Sequence, residues 1–180
     1  LLAILACFRV LADPGAEATL ESRARELVRE FQNRLKPELQ QAMRDGGPSL
    51  AVEVCAGKAP RIADALSLDS GWRVKRVSLR ARNASRAIPD PWETTVLESF
   101  DSRQAAGATA AELNHGEIVN GQYRYMQAQV VEPLCLTCHG PAVDREVLEV
   151  LRNYYPDDRA TGYAPGEVRG AFSLVGPARR

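Results

Sequence analysis

Between Thr19 and Asp45, apolar residues at Leu20, Ala24, Leu27, Val28, Phe31, Leu35, Leu39 and Ala42 recur at three- and four-residue steps among charged positions. That spacing gathers them on one side of an α-helix and predicts a single long amphipathic element. Pro37 lacks an N–H and should kink it, and Gly46-Gly47 should end it. The stripe reads as a core face or a dimer face rather than a cofactor box. Pro48 suits the first turn of a second helix through Ala51, Val52, Val54 and Cys55. Gly57 and Ala59-Pro60 should interrupt this helix before a short one resumes from Ile62 to Leu68.

From Trp72 to Arg80 the pattern changes to alternation, with Trp72 and Val74 on one parity and Val77 and Leu79 on the other. The slip between Lys75 and Arg76 predicts a strand carrying a bulge. Asp90-Pro91-Trp92-Glu93 has the form of an N-cap, a first-turn proline and a capping-box carboxylate. It should open a helix through Val96, Leu97 and Phe100 that Gly107 stops. Ala108 to Leu113, Gly121 to Val131 and Glu167 to Val175 are strand-like, with turns at Asn114-His115-Gly116 and Asn120-Gly121. Val143, Val147, Leu148 and Leu151 mark a last helix ending near Tyr154-Tyr155-Pro156. Strands separated by helices, with hairpin turns late in the chain, predict an α+β fold in which helices pack on an antiparallel sheet. No repeat or linker divides the 180 residues, which suit a single domain over residues 19–176.

Charge narrows the partners. Twenty-three basic residues balance 23 acidic ones, so nothing favours nucleic acid or an anionic membrane surface. Leu1 to Ala12 is apolar apart from Arg9 and is too short to span a bilayer. With Val10 and Ala12 at the minus-three and minus-one positions before Asp13, residues 1–12 read as the remnant of a secretory signal peptide. Ile4-Leu5-Ala6-Cys7 also has the outline of a lipoprotein signal, which would anchor the protein through Cys7. The expectation is a periplasmic protein with no transmembrane segment.

The chemistry is concentrated in Cys135-Leu136-Thr137-Cys138-His139. Cys-x-x-Cys-His is the attachment signal for a c-type haem: two thiols add across the porphyrin vinyl groups and the adjacent His offers a ring nitrogen to iron. A zinc site would need further ligands, and outside the N-terminal segment only Cys55 and His115 remain. A thioredoxin-like pair would need a strand before it and a helix after it. Here Pro133 and Gly140-Pro141 bracket the motif as a loop. One covalent haem c is therefore expected, held by Cys135, Cys138 and His139. Of the four cysteines, Cys7 leaves with the signal and two go to the porphyrin, which leaves Cys55 single in an oxidising compartment where a lone thiol needs a role or a shelter.

Four side chains offer a second iron ligand: Cys55, Met126, Met43 and His115. Met43 belongs to the first helix's stripe and His115 to an expected turn. Cys55 and Met126 remain open, and they differ in consequence. A thiolate favours ferric iron and a low potential, whereas Met/His ligation raises it. Arg80, Arg82 and Lys58 are candidate partners for haem propionates, and Asn83 and Trp92 for shaping the pocket.

Several separated stretches now fall into one order: Ala51 to Cys55 with Ala59-Pro60, Arg76 to Asn83, Pro89 to Glu93, the haem motif, Tyr155 to Tyr163, and Gly166 to Ser173. Together, over roughly Leu20 to Leu174, they resemble a bacterial family of c-type haem domains, formerly of unknown function, that occur alone or as periplasmic sensor parts of signalling proteins. The resemblance implies a PAS-like antiparallel sheet with a long N-terminal helix and His139 as one axial ligand. In one branch of the family a cysteine matching Cys55 is the other. The chain departs from the pattern at Ala84 and Arg86, where the family usually has Pro and Asn. The expected function is one-electron redox chemistry as a redox or gas sensor or regulator, with a small electron carrier as the alternative. No enzymatic role is expected. A redox or signalling partner is implied, and the N-terminal helix offers a face for a homodimer.

Overall fold

The structure is a computed structural model that describes residues 14–178. The expected signal segment at residues 1–12 and Cys7 lie outside the described residues. Helix α1 runs from Pro14 to Ser70, α2 from Pro91 to Ala105, α3 from Leu136 to His139 and α4 from Arg145 to Tyr154. Strands β1 (Arg73–Val77), β2 (Asn114–Val119), β3 (Gln122–Val130) and β4 (Val168–Pro177) form one sheet in the order β1-β4-β3-β2. Every neighbouring pair is antiparallel. The fold is α+β, as the alternation of patterns predicted.

The sheet is covered on both faces. The α1 stripe of Ala24, Leu27, Val28, Phe31 and Leu35 is buried against Val74, Tyr125, Phe172 and Leu174. That stripe is therefore a core face within the chain. On the opposite face Val96, Leu97 and Phe100 of α2 pack on Val77, Met126 and Ala171. Full burial of each large side chain stabilises by roughly 1.5–3 kcal/mol, so these two layers hold the sheet and, with it, the loops at its ends.

Double coverage explains one departure from the sequence reading. Val74 and Val77 are both buried, but β1 pairs with β4 in unbroken register from Arg73↔Val175 to Val77↔Ala171. There is no bulge in β1. Val74 faces α1 and Val77 faces α2, and a strand that is apolar on both faces shows the same parity slip in its sequence. Gly46-Gly47 ends the first helix as expected: non-helical dihedrals there separate two helical segments within α1, and φ of +66° at Gly47 is a conformation favouring glycine. The second departure is that the segment after Pro48 runs without interruption through Gly57 and Pro60 to Ser70. Pro37 and Pro60 sit within helical backbone. Ala59, Ala63 and Leu66, around Pro60, are buried against the sheet, and this packing offsets the one hydrogen bond the proline ring removes.

The Ala108 to Leu113 stretch is a turn rather than a strand, closed by Glu112, whose carboxylate accepts from the Thr109 N–H and hydroxyl at 2.7 Å each. Asn114-His115-Gly116, expected as a turn, begins β2 instead. The Asn120-Gly121 turn is as expected, with positive φ at both residues, the requirement of a tight two-residue hairpin.

The α2 capping box is also as expected: Asp90 accepts from the Glu93 N–H at 2.9 Å, and Glu93 accepts from the Asp90 N–H at 2.8 Å. Glu93 is fully buried and also takes Lys75 at 2.9 Å and the Ser173 hydroxyl at 2.6 Å. Burial alone would raise the Asp90 pKa, but the Glu93 N–H and the Arg124 guanidinium outweigh it and hold the carboxyl below its usual range. Glu93 thus joins the start of α2 to β1 and β4. Glu93→Ala leaves the buried Ser173 hydroxyl and the partly exposed Lys75 without their acceptor and removes the α2 cap, and a loss of about 2–4 kcal/mol is expected in urea unfolding. A variant within 1 kcal/mol of wild type, on the order of one ordinary surface change, would show that the network is not a structural tie.

Candidate functional site

Pro133 opens a 3-10 turn to Cys135 that passes directly into α3, so the Cys-x-x-Cys-His stretch is helical and not an open loop. The helical course puts Cys135 and Cys138 on one side, three residues apart. Gly140 ends the turn, its N–H donating to the Leu136 carbonyl at 2.8 Å. A Cβ at Gly140 would lie 2.5 Å from that same carbonyl oxygen, so this close approach requires glycine. Both cysteines are free thiols and half-buried. Cys138 packs with Val52 of α1 and with Val147 and Leu151 of α4, and Cys135 packs with Val131, Ala160 and Tyr163.

His139 is tightly oriented. Its Nδ1 lies 2.7 Å from the Ala160 carbonyl, which can only accept, so Nδ1 carries the proton and Nε2 is the acceptor, which the Arg82 guanidinium meets at 3.4 Å. Metal-binding histidines are commonly oriented by such a second bond. The Tyr163 ring meets the imidazole edge-on at 6.4 Å. Burial, reinforced by the Arg169 and Arg82 cations, pushes the His139 pKa down to about 2, so the ring is neutral at ordinary pH. The loop before Tyr163 is latched to the motif: the Tyr163 N–H donates to the His139 carbonyl at 2.9 Å and the Gly162 N–H to that of Gly140 at 2.8 Å. Arg82 strengthens the latch, bonding Asp158 at 3.1 Å, the Cys138 carbonyl at 2.6 Å and the Ala160 carbonyl at 3.2 Å.

Cys55 enters from α1. It lies one helical turn after Val52, which packs on Cys138's neighbours in α4, and therefore on the same helix face. Its thiol bears on neighbouring groups. Burial pushes the Cys138 thiol up, with Arg82 opposing and Cys55 and Cys135 adding to the rise. Burial and then Cys55 push the Tyr155 hydroxyl up to about 12. Three thiols, one imidazole and a group of arginines thus share a site between α1, α3, α4 and the end of the sheet.

Two of those arginines, Arg76 and Arg169, were not singled out from sequence. In β1, Lys75 reaches Glu93 on the α2 side, so Arg76 faces α1, where its guanidinium lies 5.2 Å from the Phe31 ring. Arg169 owes its direction to a β-bulge. Gln129 pairs with Gly170 but Val130 pairs with Val168, so Arg169 is the extra, unpaired residue. Val168 and Ala171 consequently both face α2, and Arg169 turns the other way. Burial and Arg76 then lower its pKa below the usual guanidinium value.

The remaining candidates lie elsewhere. Met126 is fully buried in the α2 layer, across the sheet from α1 and Cys55. Met43 is half-buried on α1 before the Gly46-Gly47 break. His115 is exposed on β2, 3.1 Å from Glu117. Arg80 lies over the Tyr163 ring at 4.1 Å and donates to the Thr161 carbonyl. Lys58 makes a surface pair with Glu38 at 3.4 Å. Asn83 closes a turn: its carbonyl accepts from Arg86 and Ala87, and its side chain from the Ser85 hydroxyl at 2.8 Å. Arg86, at a departure from the family pattern, pairs with Asp64 of α1. Trp92 donates to Glu117 at 2.6 Å under the Arg124 guanidinium.

The donor set suits a haem held through two thioethers: two thiols on one helical turn, a neutral imidazole whose Nε2 meets only the Arg82 guanidinium at 3.4 Å, which a bound iron would displace, and a third thiol on α1. Among the described residues no three His, Cys, Asp or Glu side chains converge to hold a metal ion, whereas haem iron asks only one or two ligands of the protein. No helix among the described residues is long and apolar enough to cross a membrane.

Comparison with known proteins agrees with this frame. The family model Tll0287-like (Tll0287) matches residues 13–177. The crystal structure of the cyanobacterial heme-protein Tll0287 has a similar fold, with a TM-score of 0.66 and 24% identity over 92% of this chain and 97% of that one. No curated protein matches the chain.

Proposed function

The chain belongs to the Tll0287-like family, and from that premise we propose that it is a periplasmic c-type haem protein. One haem is attached through Cys135 and Cys138, with His139 and Cys55 as axial ligands. Its role is one-electron redox chemistry as a redox or gas sensor or regulator acting on a separate signalling partner. The solved relative of similar fold is itself a heme-protein. The observation that carries the reading is that Cys55 lies one helical turn from Val52 on α1, and Val52 packs with Cys138 of the motif and with α4.

When bound, the haem supplies an Fe(III)/Fe(II) couple. The chain's own part is to orient and to transmit. The Ala160 carbonyl fixes the His139 tautomer, Tyr163 holds the ring's edge, and Arg82 ties the motif to the loop ending at Tyr163. Cys55 lies on the part of α1 beyond the Gly46-Gly47 break. A ligand there couples the state of the site to the position of residues 48–70, separately from residues 14–45. The electron-carrier alternative is supported by Leu134, half exposed beside Cys135, an apolar contact point next to the cofactor for a redox partner.

Protein exported through a cytochrome c maturation system is expected to give a haem-stained band on a denaturing gel and one haem per chain by pyridine haemochrome. A band that disappears after acid-acetone extraction would sink covalent attachment. Fast electron exchange with a soluble partner and no ligand change on reduction would favour the carrier.

A further inference from the structure

Arg76 and Arg169 present a charge problem that the rest of the chain does not solve. Arg82 has Asp158, two carbonyls and the His139 Nε2 for its guanidinium. Among the described residues, neither Arg76 nor Arg169 pairs with a carboxylate. Arg76 has the face of Phe31. Both belong to the site by backbone geometry: Arg76 through its parity in β1, and Arg169 because the bulge opposite Gln129 and Val130 turns it from the α2 face. The bulge is held in place by its neighbours. The Arg169 carbonyl accepts from the Ser78 hydroxyl at 2.6 Å and from Tyr163 at 3.3 Å, and Gly170 packs so closely on the Val77 carbonyl that no Cβ fits there.

Two partly buried guanidiniums without a counter-charge are costly, and the cost is recovered when an anion binds between them. A guanidinium binds a carboxylate bidentately and with charge assistance. We propose that Arg76 and Arg169 form the carboxylate-binding end of the cofactor pocket and take the two propionates of the haem, a proposal that rests on the haem reading above. The bulge in β4 is the device that makes this end, since without it Arg169 would point into the α2 layer. The pocket thereby fixes the direction in which the cofactor lies, with its charged edge toward the sheet.

The test uses the holoprotein, with haem content measured first by pyridine haemochrome. In wild type the propionate bending band in resonance Raman is expected to shift on transfer to D2O, because its partners are exchangeable N–H groups. In Arg76→Gln/Arg169→Gln the D2O shift should be lost and the midpoint potential should fall, because cations near the haem favour the ferrous form. Arg169→Lys, which keeps the charge, should stay closer to wild type in potential. Wild type with haem attached but no D2O shift would overturn the proposal without needing any variant to fold. So would a double variant with unchanged band and potential. A saturable response of the wild-type potential to inorganic phosphate at constant ionic strength would assign the cations to a free anion and equally overturn it. Absence of haem from wild type would instead sink the parent reading, so the two failures are distinguishable.

Discussion

Cys135→Ser/Cys138→Ser, expressed with the maturation system, is expected to lose the haem-stained band completely, while each single variant keeps a weaker one. The argument rests on α3. A thioether needs a thiol, and serine, though close in size, does not add across a vinyl group under the same conditions. Because the two thiols sit three residues apart on one helical turn, each addresses its own vinyl, and losing one leaves the other bond formed. The α-band of the pyridine haemochrome should move to longer wavelength in the single variants, since one vinyl then stays conjugated with the ring. His139→Ala should behave differently. It keeps both thiols and therefore some attachment, but removes the ring that the Ala160 carbonyl and Tyr163 orient. A band of wild-type strength in the double serine variant would refute covalent attachment at this motif.

Those residues were legible because their chemistry is local. The spacing of Cys135, Cys138 and His139 raises the expectation of attachment without reference to the rest of the chain. The capping box at Asp90 and Glu93 and the Asn120-Gly121 turn are equally short-range, and each is in place. What failed depended on distant partners. Pro60 looked like a break because proline removes a helical hydrogen bond, but the cost is met by Ala59, Ala63 and Leu66 on the sheet, which no local window contains. His115 looked like a turn residue until β3 paired with its strand. Arg76 and Arg169 were missed for a related reason. A charged residue in an amphipathic strand is ordinarily solvated, and only the covering of both sheet faces and the bulge at Gln129 and Val130 send these two inward. Conversely Arg80 and Lys58 carried the right charge in the right region but are engaged with Thr161 and Glu38.

Cys55→Ser should raise the midpoint potential by on the order of 100 mV or more, a fraction of the roughly 0.8 V over which axial ligands move haem potentials. A thiolate donates negative charge to iron and stabilises Fe(III) relative to Fe(II), and a serine hydroxyl, remaining protonated, does neither. In electron paramagnetic resonance the ferric low-spin signal of thiolate ligation should give way to a high-spin or different low-spin form. Little loss of stability is expected: Cys55 is half-buried rather than in the core, and the exchange is nearly isosteric. Met126→Leu supplies the contrast. Met126 lies in the α2 layer beneath Leu97 and Phe100, so its replacement should leave both potential and ferric spectrum unchanged. If the potential instead moved with Met126 and not with Cys55, the ligand would have to come through the sheet from the α2 side, and the coupling of the iron to residues 48–70 of α1 would fall with it.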